Sequence, residues 1–340
     1  MTPVLAPTSA GAAVPVPMRP LAGAGTNVYL ETYLEPFRRW LDRETVTEIL
    51  VNRPGELWVE DSEHGGMLRI EEPEVDDLLL QRIAAQVARI SSQGINREHP
   101  LLAATLPDGA RIQLCGPPAT RGHWAMAVRR HRMLDMPLDA YRCELAGPDA
   151  HSGPHEPGDD PIGFLREAVR RRQTILVAGG TSTGKTTFLN SLLREIPADD
   201  RVILIEDTPE LQFVGANSVG LVAVRGDLGE ARVTTDDLLQ AALRLRPDRI
   251  VQGELRGTEA LSFLRAINTG HPGSFSTIHA SSPRGALEQI ALMAMQAGIG
   301  LTRSETIEYT ASVVDIVVQL ARVGGQRRIV AIEQTARLCP

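Results

Sequence analysis

The residues with the most evident chemical potential are Gly179-Gly180-Thr181-Ser182-Thr183-Gly184-Lys185-Thr186, which fill every fixed position of G-x-x-x-x-G-K-[ST] and run on into Thr187. The glycines let the chain turn tightly, so that successive backbone N–H groups face one centre. A helix beginning at Lys185 would add its unpaired N-terminal donors and the positive end of its dipole. Such a cup fits a polyphosphate. Lys185 would reach the β- and γ-phosphates as a flexible point charge, a task that the broad fork of arginine does not perform equivalently. The Thr186 hydroxyl would ligate magnesium. Composition sharpens the point: of 35 basic residues, Lys185 is the single lysine and the rest are arginine. A plain glycine-rich turn is the alternative, and the order strand, motif, helix weighs against it.

Hydrolysis also needs a carboxylate to hold the metal or orient the attacking water. Two candidates stand at strand ends. Glu206 closes the apolar run of RVILIEDTPEL, and Glu254 closes RPDRIVQGE. In a parallel sheet both would emerge at the carboxyl edge, beside the phosphate loop. Either acid alone also reads as a solvated loop residue, and Gly253 just before Glu254 departs from the usual acid-ended strand, so the division of roles stays open. His271 and His279 bracket GHPGSFSTIH. Two histidines without a third ligand make no zinc site. His279 is expected to sense the γ-phosphate or relay its loss to the domain interface, or else to serve as a structural hydrogen-bonding residue.

Between Gly109 and Leu134 there is no acid, yet Arg111, Arg121, Arg129, Arg130 and Arg132 all fall there. A solvated hairpin face or a charge-guarded edge strand is one account. Arginines that stabilise the charge of a nucleotide bound to another domain are a second. A nucleic-acid groove is a third, with Trp124 as its single aromatic.

The elements that must position these groups follow from pattern. TVTEILVNRPGELWVE (45–60) reads as a hairpin about an Asn-Arg-Pro-Gly turn, and Leu78, Leu79, Ile83, Val87 and Ile90 recur at helical spacing. RIQLC and WAMAVR form a strand pair across Gly116-Pro117-Pro118. Further on, TILVA, RVILI, RIVQ and SFSTI alternate with helices expected from a cap at Asp159 or Asp160 to the arginine run 170–172, over 185–194, near 236–245 and near 258–268. Continuous apolar strands separated by helices imply a largely parallel sheet covered on both faces. Of the fifteen positions from Gly147 to Pro161, seven are Gly or Pro, which marks a linker. The expected division is a disordered arm over 1–28, a mixed α/β domain over 29–142, a linker over 143–161 and an α/β P-loop domain over 162–340.

At 340 residues the chain is long enough for two cores. A net charge of −7 argues against a chain devoted to neutralising a nucleic-acid backbone. Cys115, Cys143 and Cys339 lack paired spacing, so neither a disulfide framework nor a zinc ribbon is expected, and a reducing compartment fits. The opening twenty residues carry five prolines and no cationic start, unlike a signal peptide, and no apolar run approaches the roughly 20 residues of a bilayer crossing.

GGTSTGKTT, RVILIEDTPEL, LRLRPDRIVQGELRGTEA and TGHPGSFSTIHA, in this order, resemble the Walker A, Asp box, atypical Walker B and His box of the bacterial secretion ATPases. VTEILVNRPGELWVE and DGARIQLCGPPA are similar to the amino-terminal domain of the VirB-type traffic ATPases of type IV secretion systems. The resemblance spans about residues 30 to 335. It implies a hexameric ring of RecA-like ATP-hydrolysing domains, with ATP and Mg2+ held between two domains. It makes Glu254 the favoured catalytic carboxylate and Glu206 a metal-water or second acidic residue. It also implies that Arg111 and Arg129 reach the phosphates, with Arg130 as a substitute for Arg129. A cytoplasmic place against the inner membrane follows, docked to other secretion ATPases and channel components. Pilus retraction, type II secretion without its four-cysteine insert, and a nucleotide-gated scaffold with little turnover are the alternatives; direct nucleic-acid binding is not favoured.

Overall fold

The computed structural model describes residues 28–61, 63, 66–130, 136–145, 158, 160–213, 215–224, 232–298, 300–324 and 326–338. The expected arm lies outside them except for Val28, which opens a helix; Cys339 and most of the expected linker also lie outside.

Helices α1 (Val28–Tyr33) and α2 (Glu35–Leu41) lead into an antiparallel sheet of β1 (Val46–Val51), β2 (Glu56–Asp61), β3 (Gly66–Glu71), β4 (Leu101–Thr105), β5 (Arg111–Cys115) and β6 (Ala125–Arg129). Its order is β3-β2-β1-β6-β5-β4. The expected hairpin is β1–β2, turned at Gly55 with φ +84°, a conformation that glycine adopts without a Cβ penalty. Helix α3 (Asp77–Ile90) starts where Asp76 accepts the Leu79 N–H at 2.7 Å. Its buried face carries Leu80, Ile83, Ala84 and Val87, and they share one core with Leu57, Val59, Ile112 and Leu114 of the sheet. Leu78, expected on that face, is exposed, because the buried stripe is set by the residue two positions later.

The second sheet holds β7 (Arg142–Cys143), β8 (Ile175–Gly179), β9 (Val202–Glu206), β10 (Ser218–Val222), β11 (Arg249–Leu255), β12 (Phe275–Ile278), β13 (Ile316–Val323) and β14 (Gln326–Gln334). Its order is β10-β9-β11-β12-β8-β13-β14-β7, parallel from β10 to β13, with β14 antiparallel to β13. One face is covered by α4 (Pro161–Arg170) and α5 (Lys185–Leu193). The other is covered by α6 (Thr235–Arg244), α7 (Glu259–Asn268) and α8 (Pro283–Gln296), with α9 (Arg303–Val313) beside them. Phe188, Leu189, Leu192 and Leu193 of α5 are fully buried. At about 1.5–3 kcal/mol for each large apolar side chain, they seat firmly the helix that follows the phosphate motif. Among the described residues no helix is long and apolar enough to cross a membrane.

One boundary differs from the sequence reading. Leu138 and Tyr141 pack into the α4–α5 core, Tyr141 edge-on to Phe188 with ring centroids 4.8 Å apart, and Arg142–Cys143 pairs with β14. Residues 136–142, expected in the first domain, therefore lie on the second sheet. The ends of the expected linker are ordered too: Cys143 is in β7 and Pro161 opens α4, capped by Asp160. Apolar residues this sparse between turns give no periodicity from which the sequence could assign them.

Candidate active site

The phosphate motif joins β8 to α5. Ser182 and Gly184 take left-handed φ values of +61° and +91°, which bend the backbone back on itself before the helix starts. A Cβ at position 179 would lie 2.5 Å from the Thr183 hydroxyl, which donates to the Gly180 carbonyl at 2.9 Å, so the tight turn needs glycine there. Lys185 is nine-tenths buried and its ammonium donates to the Gly179 and Gly180 carbonyls, each at 3.1 Å. Burial lowers its pKa from the usual lysine value.

His279, one residue past β12, stands between this lysine and Glu254. Its Nδ1 is 3.4 Å from Lys185 Nζ and its Nε2 is 2.6 Å from Glu254 Oε1. Burial, then the charge of Lys185, lowers the imidazole pKa despite the carboxylate. A neutral ring can accept from Lys185 at Nδ1, while its Nε2 stands against Glu254 Oε1, an oxygen that takes no hydrogen bond among the described contacts. Glu254 sits where the β11–β12 register breaks between Gln252 and Leu255, an irregularity that re-aims side chains. There Thr277 donates its hydroxyl proton to the Gly253 carbonyl at 2.7 Å, fixing the backbone beside the acid. The departure at Gly253 thus belongs to this local break.

Glu206, at the end of β9, lies across from Gly253, where a Cβ would come 3.7 Å from its Cγ. Its Oε1 accepts the N–H groups of Glu210 and Leu211, both at 2.7 Å. Burial pushes its pKa up to about 8. The two acids are therefore adjacent but differently housed: Glu254 faces the histidine, and Glu206 braces the following loop.

The first domain supplies the opposite wall. Arg111 opens β5 and makes an ion pair with Glu210 of the second domain. Arg129, paired with it across β5–β6, donates to Ser182 Oγ at 3.4 Å and lies 3.4 Å from Glu48. Arg130 donates to the Arg43 carbonyl within its own domain, so of the two neighbours it is Arg129 that contacts the phosphate loop. Together these groups line a cleft of about 730 Å³ that also includes Thr181, Thr186 and Thr187. His271 lies away from it, its ring against the Pro247 carbonyl at 3.0 Å.

Three further residues belong to the cleft. Arg256 pairs with Glu254 and lies 3.8 Å from Asp207. Two positions after Glu254 and just past the end of β11, its place beside the acid is visible in the sequence itself. Glu210 falls inside DTPEL, where nothing in the local spacing signals a partner from the other domain. Arg327 of β14 packs against Gly184 and donates to Thr187 Oγ1 at 3.4 Å. Only the antiparallel pairing of β13 and β14 brings it there, and no motif marks it.

A phosphate site divided between a parallel RecA-like sheet and a separate antiparallel domain defines the class: a two-domain P-loop ATPase. Residues 157–336 match the family described as Type II/IV secretion system protein. VirB11 of the Bartonella henselae type IV secretion system is 36% identical over 329 residues, covering 88% of this chain and 91% of that protein. PtlH of the Bordetella pertussis type IV secretion system is 39% identical over 325 residues, covering 89% and 94%. The chain belongs to this family of secretion ATPases, on its VirB11 branch. The ATPase DotB of Legionella pneumophila, at 18% identity and a TM-score of 0.57 over 88% of this chain and 78% of that one, shares the fold.

Proposed function

We propose that the chain hydrolyses ATP in the interdomain cleft and couples the resulting domain movement to substrate transfer or pilus assembly in a type IV secretion or conjugation system. The observation that carries this reading is that one cleft is walled by the phosphate loop, by Glu206 and Glu254, and by Arg111 and Arg129 of the other domain.

Lys185 carries positive charge to the β- and γ-phosphates, and the backbone N–H groups from Thr181 to Thr187 cradle them. The donors fit Mg2+. That ion takes oxygen ligands and is held by one or two carboxylates plus substrate phosphates, and the cleft presents the Thr186 hydroxyl and the Glu206 side chain, whose pKa, raised by burial, a bound cation would bring down. When bound, the ion spreads the charge of the β- and γ-phosphates. Glu254 accepts the proton of the attacking water, and the 2.6 Å contact from His279 orients it. Arg111 and Arg129 stabilise the charge that develops on the transferred group.

Family membership supports a homo-hexameric ring on the cytoplasmic face of the inner membrane, associated peripherally and docked to other secretion ATPases and channel components. The test is Glu254→Gln: turnover falls at least about a hundredfold while nucleotide binding persists. Parental turnover in this variant would contradict the assignment of Glu254.

A further inference from the structure

We propose that Glu210 is a positioning residue for Arg111, and that residues 210–212 are the strut by which the ATPase domain holds the other domain's arginine at the phosphate site. The inference rests on the reading that Arg111 acts on bound nucleotide.

Glu210 lies four residues past Glu206, beyond the end of β9. Its carboxylate pairs with the Arg111 guanidinium across the domain boundary, with one-ninth of the acid's side chain exposed and one-third of the arginine's. A pair this sheltered is screened weakly by salt. Burial, then Arg256 and Arg129, oppose the charge of Arg111 where it stands, Glu254 and Asp207 favour it, and the ion pair with Glu210 adds a contact from the loop. A guanidinium presents five N–H donors in a rigid fork, so a carboxylate can hold one edge and leave donors for phosphate oxygens.

The strut is fixed at successive backbone groups. The N–H groups of Glu210 and Leu211 both go to Glu206 Oε1 at 2.7 Å. The Glu210 carbonyl accepts from Asn190 Nδ2 at 3.0 Å, and the Gln212 N–H goes to Asn190 Oδ1 at 2.8 Å. Asn190 is itself buried on α5, the helix that begins with Lys185. Three parts of the site therefore meet at one short loop: the helix of the phosphate motif, the acid that ends β9, and the arginine of the first domain. Glu210 supplies the only one of these links that crosses between domains through that loop among the described contacts.

The experiment is a double-mutant cycle in the full-length protein with Arg111→Ala, Glu210→Gln and the pair. Glu210→Gln keeps the shape of the side chain and removes its charge. Four quantities are read: kcat, affinity for a fluorescent non-hydrolysable ATP analogue, melting temperature, and the distance distribution between spin labels placed one on each domain. The expected result is a loss of about tenfold in kcat for Glu210→Gln, the scale of one charge-assisted hydrogen bond. Analogue affinity changes by less than about threefold, melting temperature is unchanged, the interdomain distances broaden, and adding Glu210→Gln to Arg111→Ala costs nothing more. Parental kcat in Glu210→Gln, or the same tenfold loss on the Arg111→Ala background, would overturn the positioning role while leaving Arg111 in place. Parental turnover in Arg111→Ala would instead remove the reading on which the inference stands.

Discussion

Lys185 concentrates the residue-scale account, since the chain has no other side-chain amine. Burial lowers its pKa, which favours reaction of the free amine, and the glycine carbonyls and His279 surround it. An amine-directed reagent should therefore modify Lys185 and the α-amine alone, and saturating ATP with magnesium should slow modification of the lysine. Mass spectrometry of the labelled peptide reads this; equal modification with and without nucleotide contradicts phosphate contact by Lys185. The lysine, Glu254 and His279 were legible because each sits in a short segment whose strand–loop context the apolar pattern predicts. What the sequence could not show is their linkage through one imidazole. That depends on β12 lying between β8 and β11, and sheet order is set by packing and not by local spacing. The role of Glu210 was hidden for a related reason: its partner comes from another domain.

At the scale of elements, the first sheet is pinned near its edge by Glu56, which opens β2. It accepts from Arg53 at 2.9 Å, from Arg69 of β3 at 2.8 Å and from Trp58 at 3.2 Å. The bond from Arg53, then that from Arg69, holds its pKa down to about 2. A folded-state pKa below the unfolded value of about 4.3 means that its stabilising contribution is complete above that value and fades as pH falls toward 2. Melting temperature should thus drop between about pH 5 and pH 3, and Glu56→Gln should flatten part of that slope. An identical slope in the variant would contradict the ion-paired role. The β1–β2 hairpin that Glu56 helps to hold was readable from the Pro-Gly turn between two β-rich runs. Strand β3 and the β13–β14 hairpin were not, because their register follows from the neighbours they pair with.

At the scale of the whole molecule, two sheets of different construction meet over one cleft, and the chain between them does not divide where its glycines and prolines suggest. Residues 136–143 add a 3-10 turn and a short strand to the ATPase sheet before the Gly- and Pro-rich stretch begins, so the first domain is joined to the second upstream of that stretch. The interdomain contacts of Arg111 and Arg129 then bring a separate antiparallel domain against the phosphate loop. Recognition of both domains was possible from ordered motifs, whereas their contact was legible only as an imbalance of arginines over 109–134 with three competing explanations. The most direct test is a structure of the protein with a non-hydrolysable ATP analogue and magnesium. The triphosphate should lie at the N-terminus of α5, touched by Lys185 from one domain and by Arg111 or Arg129 from the other. A triphosphate bound elsewhere, or one contacted by the ATPase domain alone, would contradict a site shared between the two.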